Sequence, residues 1–293
     1  MSSFLRLLSL CLLFTASTGW AQSFSLPIWK EEAEALGYVL PKPFGFNLSY
    51  MSLEQGIAVD SIGLSGLDYS KLGVGNLLKI ESIDMKAKPG KQTSDVLSLR
   101  GDVWLFPFLN VYALVGKMKG YSETSVDVSV KTKIFGKEKI INHRIDSFKL
   151  DLDGDLYGGG LVLAGGYGNW FGLVDASFTK TNLTIIDGSI DAIVVSPRFG
   201  YDFHSTGVPL RLWAGAMYQD VEQSLSGKLS DLGLPKEIAG LVENGRFDVE
   251  QRLTTKWNPI VGMQYQVNPN FYLLGEAGLG DRKSIFLSID MRY

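Results

Sequence analysis

The chain has 293 residues, of which 45% are hydrophobic and 20% charged, and its net charge is −3. That length fits one large domain or two ordinary ones, and the balanced charge argues against nucleic acid or an anionic membrane surface as a partner. After residue 20 no run of about 18 apolar residues occurs, which excludes a membrane-spanning helix. The 33 glycines and 12% aromatic residues favour strands and tight turns.

The first 21 residues have the features of an export signal peptide. Arg6 supplies the positive start, "LLSLCLLF" the short apolar core, and mostly small residues lead to Ala21. We predict cleavage before Gln22; an uncleaved anchor helix is the alternative, which the short apolar core makes less favourable. Cys11 lies in this segment, so the mature chain is expected to hold no disulfide and no thiolate metal site.

The segment 22–43 is predicted to lie in the periplasm, before the main fold. Pro27 can open a short helix and Gly37 can end it, with Ile28 and Leu36 on one side. The main fold is predicted to occupy 44–293.

From residue 44 onward, apolar and polar residues alternate with a period close to two. "FGFNLSYM" is the first such stretch. Nine more follow: "DVLSLRGDVWLFP", "NVYALVGKMKG", "YGGGLVLAGGYG", "WFGLVDASFTKT", "VVSPRFGYDF", "PLRLWAGAMYQ", "KWNPIVGMQYQV", "NFYLLGEAGLG" and "KSIFLSIDMRY". In "NVYALVGKMKG" the alternation predicts Tyr112, Leu114 and Met118 on the outer face.

These stretches predict an all-β fold, a transmembrane antiparallel β-barrel of about 10 strands, with 12 as the alternative. Each stretch is close to the ~9–11 residues that a tilted strand needs to cross a bilayer. A soluble sandwich would alternate in the same way, but it would not usually combine this pattern with a signal peptide and a terminal aromatic strand.

The lengths of the connections support the barrel. Short turns are predicted at 107–108, 168–169, 204–207 and 268–270, and the alternate connections include long loops at 120–155 and 221–251. Barrels of this kind have short periplasmic turns and long extracellular loops. We expect hairpins around "FGKEK" and Pro89–Gly90, and a short helix that ends at Gly245.

The last strand alternates apolar residues up to a terminal aromatic residue. These residues are Ile285, Leu287, Ile289, Met291 and Tyr293. The pattern resembles the C-terminal assembly signal of Gram-negative outer-membrane β-barrel proteins, in which the usual last residue is Phe and Tyr is tolerated. The resemblance implies a place in the cell outer membrane, contact with its lipid and lipopolysaccharide, and recognition by the barrel-assembly machinery during insertion.

The polar faces of the strands are expected to line the lumen. The candidate lumen-lining residues carry both signs of charge: Arg100, Asp102, Asp175, Arg198, Asp202, Arg211, Lys256 and Glu276. At about ten strands such side chains, with Trp104 and Trp213, would occupy most of the bore. A satisfied polar core and a narrow selective path are both open interpretations.

No catalytic site, cofactor or metal site is predicted. His204 and Ser205 are neighbours on a turn or strand, so their side chains point apart. His143 and the carboxylates of "DLDGD" belong to no recognisable motif, and "DLDGD" lacks the spacing of a calcium loop. The sequence predicts a non-enzymatic barrel that forms a narrow pore or small-solute conduit. The alternative is a structural or surface-interaction barrel whose extracellular loops bind lipopolysaccharide or a partner.

Overall fold

The computed structural model describes residues 25–66, 78–228 and 245–293. The predicted signal peptide and the predicted helix of the 221–251 loop lie outside these ranges. No helix within them is long and apolar enough to cross a membrane.

The described chain consists of strands and one short helix. Helix α1 is Lys30–Ala35, and the strands are β1 Phe44–Ser65, β2 Leu78–Ala87, β3 Gly90–Phe106, β4 Leu109–Ile134, β5 Lys137–Asp151, β6 Gly154–Tyr167, β7 Trp170–Leu183, β8 Asp187–Asp202, β9 Leu210–Lys228, β10 Arg246–Leu253, β11 Trp257–Asn268, β12 Phe271–Leu279 and β13 Lys283–Arg292.

Ten of these strands form a closed antiparallel ring. Its order is β1-β3-β4-β6-β7-β8-β9-β11-β12-β13, and β13 pairs back with β1. Phe44 N donates to Tyr293 O at 3.2 Å and Tyr293 N donates to Phe44 O at 2.9 Å, so the two ends of the ring close on each other. The predicted ten-stranded β-barrel is confirmed.

The outer wall of the ring is apolar. Large hydrophobic side chains are exposed on neighbouring strands, among them Leu48, Leu99, Leu161, Phe178, Phe199, Val261, Leu273 and Leu287. A continuous apolar surface of this kind does not occur on a protein that faces water all round, and it is the lipid-facing band of a membrane barrel. The period of two in the sequence reflects this division between wall and interior.

Exposed ion pairs mark one edge of the apolar band. They join Lys91 to Glu54 at 3.5 Å, Lys117 to Asp155 at 2.8 Å, Lys180 to Asp191 at 3.4 Å and Lys256 to Asp220 at 2.8 Å. We call these four lysines the lysine belt. The end of the barrel beyond the belt is called the loop end, and the opposite end, where the chain enters and leaves the ring, the turn end.

Several strands continue past the lysine belt and form an extension. There β10 pairs with both β1 and β9, while β2 and β5 pair with β4. The predicted hairpin around "FGKEK" is present, with its turn at 135–136. The hairpin predicted at Pro89–Gly90 is wrong, because β2 and β3 do not pair with each other and instead follow one another along β4, interrupted only at 88–89. The predicted 221–251 loop is partly strand, because β9 runs to Lys228 and β10 begins at Arg246.

The interior of the extension holds a buried apolar cluster. Its members are Ile57, Met118, Val126, Phe148, Leu150, Leu152, Ile190, Ala192, Val221, Leu225, Phe247, Val249 and Leu253, which we call the outer apolar cluster. The predicted outward orientation of Tyr112, Leu114 and Met118 is wrong, because these positions face inward. Both faces of "NVYALVGKMKG" carry apolar residues, and a shift of one residue reverses every side chain of a strand.

The N-terminal segment is attached to the turn end. Ile28 N donates to Leu105 O at 2.8 Å. The ring of Trp29 lies 5.0 Å from that of Phe106 and 6.1 Å from that of Phe108, between centroids. Helix α1 is shorter than the predicted one, and the chain leaves it through Gly37 at φ 87°, a conformation that glycine adopts without strain.

Candidate functional site

The interior at the level of the apolar band is crossed by an ion pair. Arg198 on β8 donates to Glu276 on β12 through Nε at 2.6 Å and Nη2 at 2.9 Å. Trp213 Nε1 on β9 donates to the same carboxylate at 2.8 Å. The Trp213 ring lies against Gly262 on β11, where a Cβ atom would be only 2.4 Å from the ring. The small residue therefore makes room for the indole that supports the ion pair.

A second group of side chains is built around Arg100 on β3. Its Nη2 donates to Asn110 Oδ1 at 3.0 Å, and its Nη1 lies 3.8 Å from Asp175 Oδ2. The guanidinium carbon lies 3.8 Å from the centroid of the Tyr112 ring, a cation–π contact. Tyr112 in turn donates its hydroxyl hydrogen to Asp175 at 2.7 Å.

Asp102 extends this group toward the strand that closes the ring. Arg292 Nη2 donates to Asp102 Oδ1 at 2.9 Å, and Asn110 Nδ2 donates to the same oxygen at 2.6 Å. Arg292 also donates to Asp290 at 3.3 Å. We refer to these charged residues, with the Arg198–Glu276 pair, as the central network.

The turn end of the bore has a cluster of its own. Asp202 accepts hydrogen bonds from Arg211 Nε at 2.7 Å and is paired with the ring of His204. The other ring nitrogen of His204 lies 2.5 Å from Gln266 Oε1, and Arg211 Nη1 donates to Gln264 at 3.2 Å. The charged residues of this mouth thus neutralise one another.

Four glutamines lie inside the outer apolar cluster, and we call them the glutamine layer: Gln55, Gln92, Gln223 and Gln251. Gln55 donates to Gln92 at 3.4 Å, and Gln223 donates to Gln92 across the bore at 2.7 Å. Gln251 donates to Ser122 at 3.4 Å. Amide side chains, with the buried hydroxyls of Ser94 and Ser122, therefore run through the middle of the outer apolar cluster.

Arg282, in the β12–β13 connection, reaches the same layer. It is 3% exposed, and its Nε donates to Gln55 Oε1 at 3.0 Å. Burial lowers the pKa of this guanidinium to about 10.

Seven of the eight predicted lumen-lining residues lie in the interior: Arg100, Asp102, Asp175, Arg198, Asp202, Arg211 and Glu276. Lys256 does not, and its predicted position is corrected. It lies before the first residue of β11, so the strand alternation does not reach it, and its side chain is half exposed beside Asp220 in the lysine belt.

Sequence reasoning missed the glutamine layer, Arg282 and the outer apolar cluster. The alternation of the strands could have predicted that Gln55 and Gln92 face inward, since each lies an even number of residues from an inward-facing residue of its strand. Arg282 carried no such signal because it lies in a connection. No group of three or more His, Cys, Asp or Glu residues able to hold a metal occurs in the ranges 25–66, 78–228 and 245–293.

The closed ring, its apolar wall and its polar bore define a transmembrane β-barrel protein of the outer-membrane type. No protein-family model matches the sequence, and no curated protein matches it.

Solved structures with a similar outline are outer-membrane proteins. The outer membrane protein OprG from Pseudomonas aeruginosa is 10% identical, with 87% of this chain and 99% of that chain covered and a TM-score of 0.37. An outer membrane channel from Pseudomonas putida F1 is 11% identical, with coverage of 86% and 96% and a TM-score of 0.38. The Ralstonia pickettii toluene transporter TbuX is 10% identical, with coverage of 87% and 90% and a TM-score of 0.27. These scores are low, so the strand pairing of this chain itself defines its architecture.

Proposed function

We propose that this protein is an integral β-barrel of the outer membrane that forms a narrow conduit for small polar solutes and catalyses no reaction. The loop end lies at the cell surface and the turn end in the periplasm. This proposal rests on the glutamine layer, because its amide side chains form a polar path through the outer apolar cluster.

A core that served only stability would not contain these amides. Gln223 lies between Val221 and Leu225 on the inner face of β9, and Gln251 lies between Val249 and Leu253 on β10. Buried amides without a full set of hydrogen bonds cost free energy, and apolar residues of similar size would avoid that cost. Amides do, however, offer both donors and acceptors to a polar solute that sheds its water.

The central network supports the same function. Buried ion pairs are poor contributors to stability, because desolvation offsets their attraction. The central network lines the bore with paired charges of both signs, which a passing solute can contact. The Arg198–Glu276 pair spans the bore in the described conformation, so conduction requires this pair to part and the barrel is a narrow, intermittently open path.

The contacts of His204 give no support to a hydrolytic role for the neighbouring Ser205. One ring nitrogen of His204 is paired with Asp202 and the other with Gln266. Neither nitrogen is directed to the hydroxyl of Ser205, so this histidine is not arranged to activate it.

Flux into proteoliposomes tests the conduit. Swelling rates in solutes of graded size are compared for the wild type and the Gln92→Leu/Gln223→Leu double variant. We expect the wild type to admit the smallest solutes and the double variant to admit none, while both fold to the same extent. Lys117→Gln, which changes an exposed belt residue, serves as the control and should swell like the wild type. Equal swelling of wild-type and protein-free liposomes would refute the conduit.

A second function is supported by the lysine belt. Its four ammonium groups surround the barrel at the level where the apolar band ends, which is where lipid phosphates lie. We propose that the belt binds the phosphates of lipopolysaccharide. Retention of lipopolysaccharide by the purified protein should fall when all four are changed to Gln. It should persist when Lys131, Lys133 and Lys139, which lie farther out on β4 and β5, are changed instead; equal retention by both would refute the role of the belt.

A further inference from the structure

Arg282 is a buried cation that lacks a counter-charge within the described residues. Its Nε donates to Gln55 Oε1 at 3.0 Å and its Nη2 donates to the carbonyl oxygen of Thr255 at 3.1 Å. Nη1 is buried and has no hydrogen-bond partner in the described part of the chain. Both existing partners are neutral, so the hydrogen bonds orient the guanidinium without neutralising it.

Hydrogen bonds from a buried asparagine fix the backbone of Arg282 and so orient its side chain. Asn258, which is 2% exposed, donates to Arg282 O at 2.8 Å and accepts from Arg282 N at 3.1 Å. Gly278 and Gly280 leave room for that amide, because a Cβ atom at either position would lie 2.7 Å or 2.4 Å from Asn258. The connection is thus held so that the arginine enters the bore.

No acid of the described chain balances the charge. The adjacent Asp281 is exposed and accepts a hydrogen bond from Thr255 Oγ1 at 2.9 Å. The lowered pKa of Arg282 has burial as its cause, with no carboxylate acting against it. An unpaired buried cation is costly, so the fold would be more stable with a negative group at Nη1.

The neighbouring amides suit a small anion. Gln223 Oε1 and Gln251 Oε1 are buried and have no partner among the described residues, so each of these amides is held by the hydrogen bond that its Nε2 donates, to Gln92 at 2.7 Å and to Ser122 at 3.4 Å. An amide that turns by half a rotation presents its NH2 group where its oxygen was. Amides are neutral, so one guanidinium among them calls for a single negative charge.

We propose that Arg282 and the glutamine layer bind a small monovalent anion, a halide or a short carboxylate, inside the extension. The buried side chains of the outer apolar cluster surround the layer, so we expect the site to admit small anions only. Binding does not depend on conduction; if the conduit proposed above also holds, the same site gives it a preference for anions over cations.

Unfolding in urea tests the site, because urea, unlike guanidinium chloride, adds no anion. The refolded full chain in zwitterionic detergent is compared in sodium chloride, sodium acetate and sodium gluconate at one ionic strength. We expect chloride or acetate to raise the urea midpoint over the bulky gluconate, by about 0.5 M once the anion exceeds its dissociation constant tenfold.

Variants separate the site from general salt effects. Arg282→Met should lose the difference between anions, Arg282→Lys should keep part of it, and Arg144→Met, which removes an exposed arginine on β5, should keep all of it. A wild type that unfolds at the same urea concentration in all three salts overturns the proposal, and so does an anion effect that persists in Arg282→Met.

The failure of the site and the failure of the conduit are distinguishable. An anion effect on stability without any solute flux retains the site and refutes the conduit. Solute flux without an anion effect on stability retains the conduit and refutes the site. The line width of the chloride-35 resonance gives an independent check: wild-type protein should broaden it, acetate should reverse the broadening, and Arg282→Met should broaden it no more than detergent alone.

Discussion

Arg198 and Glu276 form a two-pronged ion pair across the bore, with nitrogen–oxygen distances of 2.6 and 2.9 Å. Along the ring, β9 and β11 separate the strands that carry them, so the pair bridges the interior rather than a neighbouring strand. It joins one wall of the barrel to another, and in the proposed conduit it would obstruct the path of a solute.

Glu276→Gln should lower the free energy of unfolding by about 3–5 kcal/mol, because it leaves Arg198 buried without its counter-charge. The double variant Arg198→Met/Glu276→Leu should unfold close to the wild type, since it removes both charges together. Urea unfolding followed by tryptophan fluorescence measures both. A double variant as unstable as Glu276→Gln would show that the loss comes from packing and not from the unpaired arginine.

Phe247→Ala should destabilise the extension by about 3–5 kcal/mol, because this side chain is 1% exposed within the outer apolar cluster. The expected sign is faster protease cleavage in β9 and β10, with the membrane-level strands still protected. Phe178→Ala is the matched control, since Phe178 is half exposed on the lipid-facing wall and its loss should leave the extension resistant. Equal cleavage of both variants would contradict the buried cluster.

The β4–β5 hairpin should lose protection as the pH falls. Arg144 donates to Asp127 at 2.6 Å, and this hydrogen bond lowers the pKa of Asp127 below its ordinary value of 3.8. A carboxyl group whose pKa is lower in the folded state than in the unfolded state stabilises the fold. This contribution is complete above the unfolded-state pKa and is lost as the pH falls through the folded-state pKa.

Amide hydrogen exchange of β5 measures this effect. Asp127→Asn should exchange faster than the wild type at pH 6, and the two should become indistinguishable below the lowered pKa. A difference that stays constant while the Asp127 carboxyl of the wild type becomes protonated would mean that the ion pair is not its source.

Tyr293→Ala should slow insertion by the barrel-assembly machinery without preventing the fold. The backbone of Tyr293 makes the closing hydrogen bonds with Phe44, and these survive the substitution, whereas the exposed ring is lost. Insertion into proteoliposomes that contain the machinery should fall severalfold, while spontaneous refolding in detergent should not. Val267→Ala, an exposed apolar residue on β11, is the control; an equal defect there would mean that the terminal ring has no special role.

The ring and its wall were predictable because lipid on one side imposes a strict alternation. Leu161, Leu163 and Tyr167 on β6 point outward as the alternation requires. Short turns alternate with longer connections along the chain, and this alternation indicates which ends of the strands lie on the same side of the membrane.

The alternation does not predict what fills the interior. Inside the extension apolar and amide residues share one face, as Val221, Gln223 and Leu225 do on β9. Lys256 and Arg282 lie between strands, so the alternation does not predict whether their side chains face inward or outward. Their positions depend on contacts with distant parts of the chain, such as the hydrogen bonds between Asn258 and the backbone of Arg282.

The conductance of single refolded molecules in a planar bilayer tests the conduit most directly. We predict small, infrequent openings for the wild type and larger, longer ones for Arg198→Ala/Glu276→Ala, because the bridge across the bore is removed. Lys117→Ala/Asp155→Ala, which removes an exposed pair of the belt region, should behave like the wild type. Silence of both the wild type and the bridge variant, with each shown to be folded and inserted, would contradict the account.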